Sequence, residues 1–272
     1  MESSVTIPVL QEMKRAGRKI VGVVAYDYQM AQIVDRAGVD IVSVGDSVGI
    51  NLWGHRSELE VTLDEMILAC RAVRRGVTRA LVSCDFPFGP LQEGTAAAVG
   101  AAIRLVKESG ADIVKLDGAS GFPDAVRAIT HAGIPVWAQF GITPHTALQY
   151  GGMANAGPQL AALDKDALLD EAKVLQAAGA SLLDFTNSGP VAGPFVTSGV
   201  SIPVIGGLGG GPWLDGRVRA VFNAIGYFAA ALDDGAERYA NVARITFDAM
   251  ITYAEDVRSG RQVKGAPPQR QR

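Results

Sequence analysis

The chain has 272 residues, of which 48% are hydrophobic, and a formal net charge of -3. That length suits one large α/β domain or two small ones, and the hydrophobic fraction supports a sizeable core. The weak acidic balance gives no reason to expect a nucleic-acid partner or an anionic membrane surface. The apolar runs are too short to span a bilayer and the N-terminus lacks the pattern of a signal peptide, so we predict a cytoplasmic protein.

Eight short runs along the chain are β-branched and nearly all apolar, which is typical of buried strands in a parallel sheet. The predicted strands cover residues 20–26, 41–45, 80–85, 113–117, 135–141, 181–187, 202–207 and 220–227. Amphipathic stretches between them predict helices at residues 28–37, 63–75, 92–109, 122–131, 165–178 and 191–198. Eight βα units in about 230 residues favour a single closed (β/α)8 TIM barrel, with a doubly wound open sheet as the alternative.

Two further helices flank the predicted barrel, one before the first strand at residues 9–19 and a long final one at residues 237–257. The seventh barrel helix is the least supported, because the glycine-rich run at residues 206–211 leads into a segment with little periodicity. We assign residues 1–258 to the barrel domain. Residues 259–272 are rich in Gly, Pro, Gln and Arg, which predicts a disordered basic tail.

An aspartate stands at the end of each of three successive predicted strands. These residues are Asp46, Asp85 and Asp117. Because parallel strands all point the same way, we expect the three carboxylates to converge on one rim, where the active site of such a barrel lies. Like charges that close repel each other unless a cation lies between them. The sequence therefore predicts a divalent metal site at this rim.

Two strands carry further polar residues that the alternation of side chains places inside the barrel. Lys115 lies two residues before Asp117, and Asp184 lies two residues before Thr186. An inward lysine needs an anion, which is a metal-site carboxylate, a substrate carboxylate or a structural aspartate partner. A desolvated Asp184 would have a raised pKa and could act as a base, unless it is ion-paired inside the barrel or faces the helices.

The longest predicted rim loops follow the second and fifth strands, at residues 47–62 and 142–164. They carry His55 and His145, which are candidates to contact a substrate, whereas His131 at a helix end is expected on the surface. The glycine-rich run at residues 206–211 indicates either a phosphate-binding loop or a tight turn.

Nine motifs between residues 25 and 206 resemble one known family, ketopantoate hydroxymethyltransferase, also called 3-methyl-2-oxobutanoate hydroxymethyltransferase, and the match extends from about residue 5 to residue 258. They are Ala25-Tyr-Asp-Tyr28, Val44-Gly-Asp-Ser-Val-Gly49, Gly54-His55, Val61-Thr-Leu-Asp-Glu-Met66, Ala72-Val-Arg-Arg-Gly76, Asp85-Phe-Pro-Phe-Gly89, Val114-Lys-Leu-Asp-Gly118, Gly141-Ile-Thr-Pro144 and Ile202-Pro-Val-Ile-Gly206. Their order and spacing follow the family over nearly the whole chain, so the resemblance covers the fold and the site together.

The resemblance implies a barrel of the phosphoenolpyruvate/pyruvate type and an enzyme that adds a one-carbon unit to a branched 2-oxo acid. In that family the reaction takes place at a Mg2+ site, methylenetetrahydrofolate is the donor, and the enzyme is a large homo-oligomer, a decamer. By position, Asp46 and Asp85 resemble the magnesium carboxylates and lie next to the substrate. Asp117 stands where the family has a glutamate that also serves the metal. Ser47 and Lys115 resemble the contacts to the substrate carboxylate and oxo group.

The same resemblance identifies departures at the base end of the site. Thr186 stands where the family has its catalytic glutamate, and Gln139 and Ala69 each stand where it has a histidine. A threonine hydroxyl does not accept a proton near neutral pH as a carboxylate does. Asp184 is then the first candidate for the base. The catalytic candidates are thus Asp184, Thr186, Gln139 and Lys115.

Two residues nearer the metal end, His55 and Tyr26, are second candidates for the base and are counted among the substrate contacts. The function predicted from these residues is aldol-type, hydroxymethyl-transfer-like carbon–carbon bond formation on a 2-oxo acid through a metal-stabilised enolate. Two alternatives remain open. One is a lyase, hydrolase or mutase acting on a related oxo acid without folate, and the other is a catalytically inactive metal-binding homologue.

Overall fold

A computed structural model describes residues 4–155 and 164–265 of the chain. Its central element is a closed barrel of eight parallel strands that neighbour one another in sequence order. The strands are β1 (Ile20–Val24), β2 (Ile41–Val44), β3 (Leu81–Asp85), β4 (Ile113–Leu116), β5 (Val136–Gly141), β6 (Leu182–Thr186), β7 (Val204–Gly206) and β8 (Gly216–Ala220). Where the barrel closes, the backbone N–H of Ile20 donates to the carbonyl of Asp215, 2.9 Å away.

Helices precede, connect and follow these strands. They are α1 (Ile7–Arg15), α2 (Tyr28–Arg36), α3 (Leu63–Gly76), α4 (Thr95–Arg104), α5 (Pro123–His131), α6 (Lys165–Ala177), α7 (Ala192–Gly199), α8 (Val221–Ile225) and α9 (Val242–Arg258). Residues 207–215, which join β7 to β8 and are all described, form turns and bends without a helix.

Side-chain caps fix where the rim loops end and the helices begin. Asp27 accepts a hydrogen bond from the backbone N–H of Met30 at the start of α2. Thr62 and Glu65 form a reciprocal capping box at the start of α3. Each cap satisfies backbone donors that the first helical turn leaves without a partner. The loop after β2 is therefore held at its far end by the helix that follows it.

The barrel interior changes from apolar to polar along the strand direction. The layer near the N-terminal ends belongs to the main hydrophobic core, with Ile41, Leu81, Ile113, Trp137 and Leu182. Two residues further along the same strands lie Ser43, Ser83, Lys115, Gln139 and Asp184. Because alternate residues of a strand share a face, the second set points inward as well. The core thus ends one layer below the rim, and polar groups begin there.

The predicted (β/α)8 barrel, with its preceding helix and its long final helix, is confirmed, and the doubly wound open sheet is wrong. The prediction for the eighth strand is also wrong. It placed the strand at residues 220–227, whereas β8 is Gly216–Ala220 and the following apolar run forms α8. In β8 the inward Gly216 and Val218 alternate with the exposed Arg217 and Arg219, so the strand lacks the all-apolar pattern of the others.

The chain divides by internal contacts into two units, Met1–Arg219 and Ala220–Arg272. In the second unit, the side chain of Asn241 caps α9 by accepting from the N–H of Arg244. This helix exposes several large apolar side chains, namely Ile245, Phe247, Met250, Ile251, Tyr253 and Val257. The predicted disordered tail remains a prediction, since residues 266–272 lie outside the described residues.

Candidate active site at the carboxyl ends of the strands

The three predicted metal carboxylates lie at the same end of neighbouring strands. Asp85 is the last residue of β3, while Asp46 and Asp117 follow β2 and β4 within two residues. Asp46 acts electrostatically on both other carboxylates and raises the pKa of each. The convergence expected from the strand order is therefore present.

Lys115 connects this rim to the polar layer inside the barrel. Its ammonium Nζ lies 3.3 Å from Asp85 Oδ2 and 3.3 Å from Asp184 Oδ2. It also donates to Gln139 Oε1 at 2.6 Å, and Gln139 Nε2 donates to Thr186 Oγ1 at 2.9 Å. The parallel register explains the grouping, because β3 and β4 pair Asp85 with Lys115, and β5 and β6 pair Gln139 with Asp184.

The charges of this group are not balanced. Burial disfavours the Lys115 cation, but the neighbouring carboxylates of Asp85 and Asp184 outweigh burial and raise the pKa of Lys115. Burial raises the pKa of Asp85 to about 7 in spite of Lys115, and it raises the pKa of Asp184 in the same way. One ammonium group cannot neutralise two carboxylates at once. The site therefore holds excess negative charge in a region of low dielectric constant.

His145 is brought to the same rim by the loop after β5. The loop leaves the strand at Gly141, whose φ of +86° is in the left-handed region and where a Cβ would lie 2.7 Å from the carbonyl oxygen of Thr186. His145 Nε2 then lies 2.7 Å from Asp46 Oδ2, and the backbone N–H of His145 donates to Asp117 Oδ2 at 3.3 Å.

The sequence identified His145 only as a candidate to touch substrate, and its contact with a metal-site carboxylate was not foreseen. Burial lowers the pKa of His145, but the hydrogen bond to Asp46 and the charges of Asp117 and Asp85 raise it further, so the net direction is upward. Glu58, on the loop after β2, was also missed as part of this site. It is half-buried, and burial together with the nearby carboxylates raises its pKa.

Of the three other predicted substrate contacts, Tyr26 and Ser47 are hydrogen-bonded to each other, and His55 lies outside this group. The hydroxyl groups of Tyr26 and Ser47 lie 2.9 Å apart, and Asn51 Nδ2 donates to Tyr26 Oη at 2.7 Å. His55 packs beside Trp53 on the loop after β2. Its Nδ1 is buried without a hydrogen-bond partner in the described part of the chain.

The glycine-rich run at residues 206–211 forms a tight turn that supports the barrel. A Cβ on Gly206 would lie 2.5 Å from Leu214 Cδ1, and one on Gly210 would lie 2.8 Å from the carbonyl oxygen of Gly206. The N–H of Gly207 is directed at Asp184 Oδ1, 3.4 Å away. Close packing accounts for the glycines at positions 206 and 210.

The residues present fit a divalent cation by donor type and charge. Asp117 Oδ1 is buried and, among the described residues, has no hydrogen-bond partner. No group of three or more His, Cys, Asp or Glu side chains in residues 4–155 and 164–265 is arranged to hold a metal ion as it stands. The reason is visible in the contacts, since Asp46 is turned to His145 and Asp85 to Lys115. Binding of a cation would exchange these contacts for metal–oxygen bonds.

Known proteins resemble this chain over nearly its whole length. The model of a family described as ketopantoate hydroxymethyltransferase matches residues 4–262. A 3-methyl-2-oxobutanoate hydroxymethyltransferase of Cyanothece sp. is 41% identical over 258 residues, covering 94% of this chain and 97% of the relative. The enzyme of the same name from Moorella thermoacetica is 40% identical over 259 residues, covering 95% of each chain.

Solved structures with similar folds are more distant in sequence. A phosphonopyruvate hydrolase in complex with oxalate and Mg2+ has a TM-score of 0.61 and 14% identity, covering 97% of this chain and 91% of that one. A 2,3-dimethylmalate lyase of the PEP mutase/isocitrate lyase superfamily has a TM-score of 0.59 and 14% identity, covering 100% and 92%. At this identity the likeness establishes the barrel fold alone.

Proposed function

The chain belongs to the ketopantoate hydroxymethyltransferase family, and we propose that it forms a carbon–carbon bond by aldol-type hydroxymethyl transfer to a 2-oxo acid. The observation that carries the proposal is the group of Asp46, Asp85, Asp117 and Lys115 at the carboxyl ends of β2, β3 and β4. This group combines excess negative charge, for a divalent cation, with one fixed cation, for the carboxylate or oxo group of the substrate.

In this proposal Asp46, Asp85 and Asp117 are the residues that would hold Mg2+. The ion would act as a Lewis acid on the 2-oxo group and stabilise the enolate of the substrate. Lys115 supplies a second positive charge from below the rim. It stays protonated because the neighbouring carboxylates of Asp85 and Asp184 raise its pKa, so it binds an anion and does not serve as a nucleophile.

Ser47 is proposed to donate a hydrogen bond to the bound oxo acid. Its hydroxyl group lies 2.9 Å from that of Tyr26, which Asn51 holds from the other side. This chain of contacts fixes the direction of the Ser47 hydroxyl before substrate arrives, which lowers the cost of ordering it on binding. Tyr26 is thereby a support for Ser47 rather than a free acid or base.

Asp184 is the proposed proton acceptor. It is only 3% exposed, and burial raises its pKa, which makes the ionised carboxylate a stronger proton acceptor. Gln139 and Thr186 are proposed to position this end of the site. Gln139 accepts from Lys115 and donates to Thr186, so the two residues fix the orientation of the Lys115 ammonium group between Asp85 and Asp184.

Proton exchange in D2O tests the proposal at its first chemical step. The protein, loaded with Mg2+, is incubated with a panel of 2-oxo acids, and loss of the C3 proton is followed by NMR. We expect metal-dependent exchange that is at least about 100-fold slower in Asp184→Asn, the size of a general-base contribution. Asp170→Asn, an exposed change on α6, is the matched control. An absence of exchange with every 2-oxo acid would overturn the proposal, and an unchanged rate in Asp184→Asn would remove Asp184 as the base.

The one-carbon donor is a separate part of the proposal. Methylenetetrahydrofolate is the donor that the family suggests, and a hydroxymethylated product that forms only with this donor would support it. A lyase, hydrolase or mutase reaction is the second candidate, favoured by the replacement of the expected glutamate by Thr186. This second candidate predicts that the enzyme converts the oxo acid into new products in the absence of any one-carbon donor.

Assembly and location remain proposals as well. The resemblance suggests a homo-oligomer, and the exposed apolar side chains of α9 are of the kind that subunit contacts cover. Light scattering on the full chain would measure the subunit number, and a monomer would contradict this part.

Within residues 4–155 and 164–265 no helix is long and apolar enough to cross a bilayer. A cytoplasmic location is proposed from the sequence.

A further inference from the structure

His145 contacts two of the three carboxylates of the proposed metal site. Its imidazole Nε2 lies 2.7 Å from Asp46 Oδ2, and its backbone N–H donates to Asp117 Oδ2 at 3.3 Å. The side chain is 3% exposed and is packed by the ring of Phe88, edge to face, with 5.6 Å between centroids. The loop after β5 thus carries a nitrogen donor into the space between the ends of β2 and β4.

The spacing of these atoms is that of adjacent ligands on one ion. Two donors bound at about 2.1 Å and at right angles on an octahedral ion lie about 3 Å apart. The separation between His145 Nε2 and Asp46 Oδ2 is close to this value, so a small movement admits an ion between them.

A second observation is independent of that contact. The other oxygen of Asp117, Oδ1, is buried without a hydrogen-bond partner in the described part of the chain. A buried carboxylate oxygen without a donor is costly, which indicates that it is completed by a ligand outside the chain, such as a cation.

We propose that His145 is a nitrogen ligand of the divalent cation, together with Asp46 and Asp117. The inference rests on the proposed function insofar as that function requires a metal at this rim. It changes the class of metal, because an all-oxygen site suits Mg2+, whereas an imidazole nitrogen favours first-row transition-metal ions, among which Mn2+ is the one that also suits carboxylate oxygens. The site then discriminates for Mn2+ over Mg2+ through one side chain.

A competing arrangement leaves His145 outside the coordination sphere, as a hydrogen-bond donor that orients Asp46. Such supports are common around metal ligands, and their loss also weakens binding. Affinity alone therefore does not separate the two arrangements. A direct magnetic contact between the metal and the nitrogen does.

The experiment uses Mn2+ as the probe and the full metal-free chain, loaded with one ion. Pulsed EPR of the bound Mn2+ is expected to detect modulation from a coupled 14N nucleus in the wild type. The modulation is expected to disappear in His145→Gln and to persist in His131→Gln, the same substitution at the exposed end of α5. His55→Gln, on the other long loop, serves as a second control.

Calorimetric titration supplies the second readout. His145→Gln is expected to weaken Mn2+ binding about 10–100-fold, the range seen when a metal site loses a supporting group. Mg2+ binding is expected to change by about 3-fold or less, because the glutamine carbonyl replaces nitrogen by a hard oxygen donor. Circular dichroism of the variant confirms that the barrel is folded.

Three results would overturn the inference. They are an absence of 14N modulation in the wild type, modulation that persists in His145→Gln, and an equal change in Mn2+ and Mg2+ affinity. The result is separable from the proposed function. Oxo-acid exchange with Mg2+ but no 14N coupling rejects the ligand and keeps the reaction, whereas 14N-coupled Mn2+ without exchange on any 2-oxo acid keeps the ligand and rejects the reaction.

Discussion

Two aspartates at opposite ends of the barrel expose the same small fraction of their surface to solvent, and their pKa values are shifted in opposite directions. Asp35, at the end of α2, and Asp117, just after β4, are both 7% exposed. Asp35 accepts from the backbone N–H groups of Thr78, Arg79 and Ala80 and from the Thr78 hydroxyl. These bonds outweigh burial and lower the pKa of Asp35, whereas burial raises the pKa of Asp117.

The difference lies in whether the fold supplies partners for the charge. At the N-terminal end, donors of the loop before β3 surround Asp35. The carboxylate therefore stabilises the contact between the end of α2 and this loop. At the C-terminal end, one oxygen of Asp117 has no partner among the described residues and Asp85 shares Lys115 with Asp184. The hydrogen bonds to Asp35 stabilise the fold at the first end. The carboxylates at the second end share too few partners, which is the pattern expected of a binding site.

The largest expected effect comes from removing a charge at the rim. Asp85→Asn is expected to reduce metal-dependent turnover about 1,000-fold, because the Lewis-acid contribution of a held metal is worth several kcal/mol. Unfolding by urea should show little loss of stability, since the change also relieves an unbalanced buried charge. The exposed change Asp170→Asn is the control. Turnover within a few-fold of wild type would remove Asp85 from the site.

In the layer below the rim, removal of a charge is expected to lower the stability of the fold, which is the main quantity to measure. Lys115→Met leaves Asp85 and Asp184 without their shared cation, and we expect a loss of about 3–5 kcal/mol in the free energy of unfolding. Urea titrations measure it. Adding Asp184→Asn to this variant should restore part of the loss, because it removes one of the two uncompensated carboxylates. A double variant no more stable than Lys115→Met would contradict the shared-cation arrangement.

At the N-terminal end, loss of charge should cost stability without touching chemistry. Asp35→Asn keeps the shape of the side chain but turns an amide NH2 toward backbone donors. The expected loss is about 2–4 kcal/mol in the free energy of unfolding, since hydrogen bonds to a charged group are worth about 1.5–3 kcal/mol each. Activity per folded molecule should be unchanged. A fall in the activity of the fully folded variant would show that the two ends of the barrel are not independent.

The strands of the barrel could be predicted from the sequence better than the loops that complete the site. Period and composition located seven of the eight strands, and the inward direction of Lys115 and Asp184 followed from alternation alone. The eighth strand was misplaced because Arg217 and Arg219 interrupt its apolar pattern. Local patterns report burial on both faces of a strand, and β8 is buried on one face only.

The rim was predictable only where it is attached directly to a strand. Asp46, Asp85 and Asp117 have fixed positions relative to strand ends, so their convergence could be argued in advance. His145 and Glu58 reach the site through loops whose path depends on contacts distant in sequence. The one local signal was Gly141, whose left-handed backbone turns the chain at the end of β5. A glycine in the sequence does not reveal which of its permitted conformations it adopts.

The smallest expected effect is the acid response of the Asp35 connection. The pKa of Asp35 is lowered in the folded state, so the unfolded chain binds the proton more readily. Its stabilising contribution is therefore complete above the ordinary aspartate pKa of about 4 and is lost as the pH falls through the lowered folded-state pKa. A decrease of one in the pKa corresponds to about 1.4 kcal/mol of stability.

Urea titrations of wild type and Asp35→Asn between pH 7 and pH 3 measure the difference between their free energies of unfolding. It should be constant above about pH 5 and shrink below it. A difference that stays constant to pH 3, or grows, would show that Asp35 does not carry its charge into the folded connection.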